Sequence, residues 1–219
     1  MDDFIIVGAG FAGLCTAIYF NIYGIKFSIY ESRKKDFEIG GSVTIFPNGM
    51  KILREIFVAD TVIEHGAVIK HAEFSNHKGD LIGFYSMGKK KLYGEPTITI
   101  KRSVLHGILL KKAFSMGIII QFEKKLLKIR QNADYVCAEF VKGQVTNSKY
   151  LIGADGINSI VRDFVTSEKT EPTYSKQIYV GGFITDRKKV DNYKLDINTQ
   201  YISVGPGSFF AYSIVDNIK

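Results

Sequence analysis

Four apolar residues, Phe4-Ile5-Ile6-Val7, open the ordered pattern of this chain and end at Gly8. A short continuous apolar run stopped by glycine predicts a strand buried on both faces. Residues 14–23 suit a helix, and Gly24 stands where a C-cap glycine belongs. Residues 25–30 alternate and predict a second strand that ends at Glu31. Past Gly40-Gly41, Pro47-Asn48 start a helix with Met50, Leu53, Ile56 and Phe57 on one face. Residues 71–85 read as a hairpin turned at 76–80, and residues 91–101 as another strand. Arg102-Ser103 then open a helix that turns Leu105, Ile108, Leu109 and Ala113 inward and closes at Gly117. Strands follow at 118–122, 126–129, 135–141 and 150–152. After Gln177 the pattern is strands only, at 178–184, 200–205 and 208–215. A plain dehydrogenase would continue strand–helix–strand units without the antiparallel block at 71–101, so the pattern predicts an α/β core interrupted by sheet insertions.

The first strand and helix enclose Gly8-Ala9-Gly10-Phe11-Ala12-Gly13, a complete Gly-x-Gly-x-x-Gly. Gly8 permits a tight turn, Gly10 lets backbone approach a pyrophosphate, and Gly13 lets the helix pack on the strand. The helix start adds unpaired N–H groups and the positive end of its dipole. Glu31 lies at the end of the second strand, where such sites place an acidic residue on a ribose, and Arg33 nearby can face a phosphate. The motif therefore predicts a dinucleotide cradle, and by itself leaves open which dinucleotide.

Residues 4–25 contain no charge, a length that suits a membrane span, but Gly8, Gly10, Gly13, Gly24 and Asn21 argue against one. Met1-Asp2-Asp3 lacks the basic start of a signal peptide. The expectation is no transmembrane segment and a cytoplasmic location. Hydrophobic content of 46% and charged content of 23% describe an ordinary globular chain. Cys15 and Cys137 make no disulfide framework and suit a reducing compartment. The net charge of +7 is spread over small lysine groups without an arginine-rich helix, which speaks against nucleic acid and suits attraction of an anionic nicotinamide cofactor. The four histidines show no metal-ligand spacing, so no metal is expected.

A second motif, residues 150–162 (YLIGADGINSIVR), runs from a strand through Gly153 and a sharp Asp155-Gly156 turn into a helix from Asn158-Ser159. Asp155 can accept cofactor hydroxyls or hold the loop, and an Asx-turn that merely caps the helix is the alternative. Together with the first motif this pattern resembles the FAD-dependent group A aromatic-hydroxylase-type monooxygenases. The likeness rests on Gly8 to Gly13 with Glu31, on residues 40–53 (GGSVTIFPNGMKIL), on Arg102 with Leu105 and Leu109, and on residues 153–162. Within that family the arrangement is also similar to tetracycline-inactivating monooxygenases.

The resemblance implies a glutathione-reductase-type, Rossmann-like FAD-binding core with an inserted, mostly antiparallel substrate-domain sheet. The FAD-binding parts fall at 1–70 and 101–172, and the substrate-domain strands at 71–100 and 173–219. It also implies cofactor-binding roles. Gly8, Gly10, Ala12 and Gly13 would take the FAD pyrophosphate, Glu31 the adenosine ribose, and Arg102 the phosphate or ribityl region. The backbone of Leu126 would lie against the adenine, and Asp155-Gly156 would serve FAD and the nicotinamide. The implied activity is hydroxylation of a small organic, often aromatic, substrate with NADPH or NADH and oxygen, through a flavin C4a-hydroperoxide. No protein nucleophile is required, and substrate contacts fall among Phe183, Arg187, Tyr201, Phe209 and Phe210. The family's later Gly-Asp motif is absent and the chain stops at Lys219, so a truncated FAD-binding remnant without activity is the alternative expectation. A nicotinamide-dependent reductase using only the Rossmann half is a third. Substrate identity and oligomeric state stay open.

Overall fold

The computed structural model describes residues 2–35, 40–186, 188 and 191–215. Two compact units share the chain: residues 1–38 with 109–179, and residues 39–108 with 180–219.

The first unit is built on a six-stranded sheet of order β8-β2-β1-β11-β10-β9. Its strands are β1 (Asp2–Val7), β2 (Phe27–Tyr30), β8 (Ile120–Gln121), β9 (Leu126–Gln131), β10 (Val136–Phe140) and β11 (Val145–Gly153). The first four in that order run parallel, and β10 and β9 are antiparallel additions. β1 is buried on both faces, with Ile5 and Val7 in one core cluster and the intervening Ile6 fully buried as well, which is why its apolar run does not alternate. Ile5 and Ile6 are fully buried. Helix α1 (Phe11–Ile22) buries Leu14, Ala17 and Ile18. A second core cluster joins Ile5, Val7 and Tyr30 to Leu126, Phe140 and, from helix α6 (Ile160–Thr166), Val161. There the Tyr30 ring stacks on Phe140 at 4.3 Å, while its hydroxyl reaches Thr146 Oγ1 at 3.0 Å. That bond gives the buried phenol oxygen a partner and fixes the ring.

The second unit holds two sheets. One has the order β3-β7-β4, from β3 (Ser42–Ile45), β7 (Thr97–Lys101) and β4 (Ala67–Ile69). The other has the order β13-β12-β5-β6, from β13 (Ser208–Tyr212), β12 (Thr199–Gly205), β5 (His71–Asn76) and β6 (Leu81–Ser86). The β5–β6 hairpin turns as its sequence predicts, with Asn76 Oδ1 accepting the amides of Lys78 and Asp80. Helices α2 (Pro47–Glu55) and α3 (Ala59–His65) complete this unit with a short α4 (Lys90–Tyr93), and the unit boundary falls within α5 (Arg102–Ser115). Arg54 on α2 grips the buried Glu95 with two bonds of 2.7 and 3.1 Å, which anchors the chain just ahead of β7. The paired carboxylates of Glu95 and Asp60 drive the Arg54 guanidinium still further above its ordinary pKa.

Three expectations fail for identifiable reasons. Residues 91–101 do not form one strand. They divide into α4 and β7 because Gly94, at φ 82°, ends the helix in the left-handed region and Pro96 lacks an N–H for a ladder. Residues 178–184 form no strand: they find no ladder partner, and Val180 is 93% exposed. Phe57 does not join the inward face of α2, because that helix stops at Glu55 and Phe57 turns into the left-handed region at φ 61°. The sequence pattern also missed β3, α3 and β4, which are short and pair only through β7 or pack beside it. Among the described residues no helix is long and apolar enough to cross a membrane.

Candidate functional site

The carboxyl ends of β1, β2 and β11 bring both glycine motifs together within the first unit. β1 pairs with β11 so that Val7 stands beside Gly153, and with β2 so that Val7 stands beside Tyr30. The loop after β1 therefore emerges between the second motif and Glu31. The Ala154 amide donates to Val7 O at 2.7 Å, and the Gly8 amide donates to Tyr30 O at 2.7 Å.

Two glycines of the first motif are dictated by contact. A Cβ on Gly8 would lie 2.2 Å from Ala154 O, and the residue sits at φ 104°. A Cβ on Gly13 would lie 1.8 Å from Gly8 O. Both obstacles are backbone atoms, so neither position tolerates a side chain without moving a loop. Gly10 differs, since a Cβ there would meet nothing within 4 Å. It is the N-cap of α1 with no side chain capping the helix, and no acidic residue stands in the first turn, where exposed Ala12 lies. The amino end of α1 thus carries no side-chain cap and no acidic residue, and the positive end of its dipole suits an anion.

Glu31 is 6% exposed and its carboxylate is tied to the glycine loop. Oε2 accepts the Ala9 amide at 2.7 Å, while Oε1 accepts the Arg33 amide at 2.9 Å and Ser32 Oγ at 3.1 Å. A carboxylate offers about four acceptor positions, so these three donors leave room for one hydroxyl. The sequence placed Glu31 on a ribose but missed its structural bond to Ala9; the signal was the small Ala9 between two glycines, whose amide is free to point back to β2.

Asp155 is occupied by its own helix. Its Oδ1 accepts Ser159 Oγ at 2.6 Å, and its Oδ2 accepts the Ile160 amide at 2.8 Å and the Val161 amide at 3.3 Å. Ser159 accepts the Arg162 amide at 2.9 Å. The amino end of α6 is therefore capped from within and offers no anion site, in contrast to α1. Gly156 makes the turn at φ 82° with open space around it. Arg162 then binds this turn to the chain beyond α6, donating to Ile157 O at 2.9 Å, Thr170 O at 2.9 Å and Thr170 Oγ1 at 2.6 Å. Thr170 also donates to Asp163, and with the Arg162 charge it holds the Asp163 carboxyl below the usual carboxylate range.

Two further expected residues stand on other elements. Leu126 begins β9 at 4% exposure with its side chain in the core beside Tyr30 and Phe140. Arg102, in the second unit, is exposed at the start of α5, and its amide donates to Gly41 O at 3.0 Å. Of the expected substrate contacts, Arg187 lies outside the described residues.

A sequence model described as an FAD binding domain matches residues 2–208, nearly the whole chain. The chain belongs to the FAD binding domain family. Among curated members, it is 23% identical over 187 residues to an FAD-dependent urate hydroxylase of Klebsiella oxytoca, covering 82% of this chain and 47% of that protein. It is 29% identical over 164 residues to a 6-hydroxynicotinate 3-monooxygenase of Pseudomonas fluorescens, covering 72% of this chain and 41% of that protein. Klebsiella pneumoniae HpxO complexed with FAD and uric acid has the same fold, with a TM-score of 0.80 at 22% identity over 97% of this chain and 53% of HpxO. This FAD binding domain chain thus spans about half the length of the curated relatives it matches.

Proposed function

We propose that the chain binds FAD at the carboxyl ends of β1, β2 and β11 and contributes to an NAD(P)H-dependent monooxygenase acting on a small aromatic or heteroaromatic compound. The reading rests above all on one arrangement: the uncapped start of α1 meets a glycine loop that a Cβ at Gly8 or Gly13 would disrupt, beside a buried Glu31 with one acceptor position to spare. Membership of the FAD binding domain family supports the choice of FAD over nicotinamide alone.

In this reading Gly8, Gly10, Ala12 and Gly13 take the pyrophosphate on backbone amides, and Glu31 takes a ribose hydroxyl. Asp155 acts by holding Gly156 and its turn in place through the cap on α6, and Leu126 contributes backbone beside the adenine. Arg102 supplies a cation for the phosphate or ribityl region. When bound, the flavin supplies the redox and oxygen chemistry, with NADPH or NADH as reductant. Family relatives named for urate and 6-hydroxynicotinate support the aromatic or heteroaromatic class. Free Cys15 and Cys137 support a reducing compartment, the cytoplasm.

The test is an absorption spectrum of the purified chain, identification of any released cofactor, and titration with added FAD. A yellow protein releasing FAD, or saturable FAD uptake, is the expected result. A colourless chain that takes up no FAD would overturn the binding assignment. Oxidation of NADPH or NADH under air, measured on the flavin-loaded chain, separates a turning-over protein from an FAD-binding remnant.

A further inference from the structure

The four-stranded sheet of the second unit has two unlike faces. On one, Ala72 is fully buried with Ala67, Ile69 and Met87, and Phe74 packs against them. The opposite face is open. Strand register places Tyr212, Tyr201, Glu73 and Phe84 side by side across all four strands, because Tyr201 pairs with Tyr212 and with Glu73, and Glu73 pairs with Phe84. At a strand spacing of about 4.8 Å the row is roughly 14 Å long. Tyr201 and Tyr212 stack with ring centroids 5.1 Å apart and planes 11° from parallel, and Phe210 leans on Tyr212 at 5.4 Å. Phe84 is 73% exposed and Phe210 66% exposed.

Glu73 is the singular member of this row. It is half-buried, and among the described residues its carboxylate takes part in no hydrogen bond and no ion pair. The chain carries 29 lysines and arginines, yet none stands on this face in any of the four strands. His71, two residues from Glu73, carries the one ionisable side-chain nitrogen in these four strands. Burial, then Tyr201 and the Glu73 carboxylate, push the Tyr212 phenol up. An uncompensated carboxylate among ring faces attracts a cation twice, through its own charge and through the ring quadrupoles. It repels an anion for the same reasons. Urate and nicotinates, for which the relatives above are named, are anions at neutral pH, so this face departs from what they would require.

We propose that this sheet face binds a planar aromatic compound bearing a protonated amine or a similarly cationic nitrogen, with Glu73 as the residue that selects cation over carboxylate. The inference rests on the monooxygenase reading for its place in the activity, and it narrows the substrate class of that reading. The stacked tyrosines and Phe210 supply area for the ring, and Glu73 pairs with the nitrogen.

Calorimetric titration of the full chain at neutral pH and low salt with 2-naphthylmethylamine and, separately, with 2-naphthoate tests this. The amine is expected to bind at least about tenfold more tightly than the carboxylate, and added salt should shrink the difference. Glu73→Gln, checked for folding by circular dichroism, should bring the two probes to within about twofold, and Glu73→Lys should reverse the order. Equal or tighter binding of 2-naphthoate to the unaltered chain would overturn the proposal, as would an unchanged amine preference in Glu73→Gln. FAD uptake is followed on the same samples by flavin fluorescence. If FAD is not bound while the amine preference holds, the cofactor reading falls and the sheet-face assignment stands; the converse result removes only the latter.

Discussion

Replacing Glu31 by glutamine should destabilise the chain nearly as much as replacing it by alanine, although glutamine has the same shape. The two carboxylate oxygens each accept one backbone amide, Oε2 that of Ala9 at 2.7 Å and Oε1 that of Arg33 at 2.9 Å. A glutamine has one carbonyl oxygen and one NH2 group, so whichever amide it satisfies, it sets a donor against the other. Each hydrogen bond to a charged group contributes about 1.5–3 kcal/mol, and a buried donor losing its acceptor costs more than the bond. Glu31 is 6% exposed and Ala9 is fully buried, so water does not readily substitute. Glu31→Ala is therefore expected to cost about 3–4 kcal/mol and Glu31→Gln about 2–3 kcal/mol. Urea unfolding followed by far-ultraviolet circular dichroism gives both values, with unchanged m-values as the check on comparable unfolding. FAD affinity should fall in both variants, because the glycine loop loses its tie to β2. A Glu31→Gln chain within 0.5 kcal/mol of the parent would refute the argument that the carboxylate joins loop and strand.

Three further outcomes are expected. Gly13→Ala should cost at least about 2–3 kcal/mol or prevent folding, since its Cβ would meet Gly8 O at 1.8 Å; Gly10→Ala should fold within about 1 kcal/mol of the parent and instead weaken FAD binding, and similar stability losses for the pair would contradict the contact geometry. Phe57→Gly should stabilise by about 0.5–1 kcal/mol in thermal or urea unfolding, because a bulky exposed residue at φ 61° is strained; destabilisation would mean the ring contributes more than the backbone costs. Burial pushes the Cys15 thiol up to about 11, whereas it ionises near 9.0 once unfolded. The unfolded chain therefore releases this proton first, and about 2–3 kcal/mol of stability present below pH 9 is lost as the pH rises to 11. Urea midpoints measured from pH 8 to 11 should fall less steeply in Cys15→Ala; parallel profiles would show the thiol is not buried as described.

Much of the framework of the candidate site was legible because its logic is local. Apolar Phe4 to Val7, the glycines after them, the α1 pattern and the strand ending at Glu31 follow one another within a short stretch of chain, where spacing alone constrains geometry. The strands at 178–184 and 91–96 failed because a strand exists only if a partner offers a ladder, and nothing in IYVGGFI reports whether one does. Asp155 shows the same limit at the scale of one side chain. Its residue type suits a cofactor hydroxyl and a helix cap equally, and only the placement of Ser159 and the Ile160 amide decided for the cap.

The sequence by itself determined that a βαβ dinucleotide cradle opens this chain and that a second glycine turn lies far along it, since hydrophobic period and glycine spacing are properties of consecutive residues. Tertiary structure alone decided that the two turns touch, with Ala154 O lying where a Gly8 side chain would have to be. It also decided that Glu73, among the described residues, stands unpaired beside Tyr201, Tyr212 and Phe84. Both depend on the parallel pairing of β1 with β11 and of β5 with β12, contacts between segments more than a hundred residues apart. Such pairings are fixed by the burial of whole sheets, and no local pattern encodes which distant strand will lie alongside.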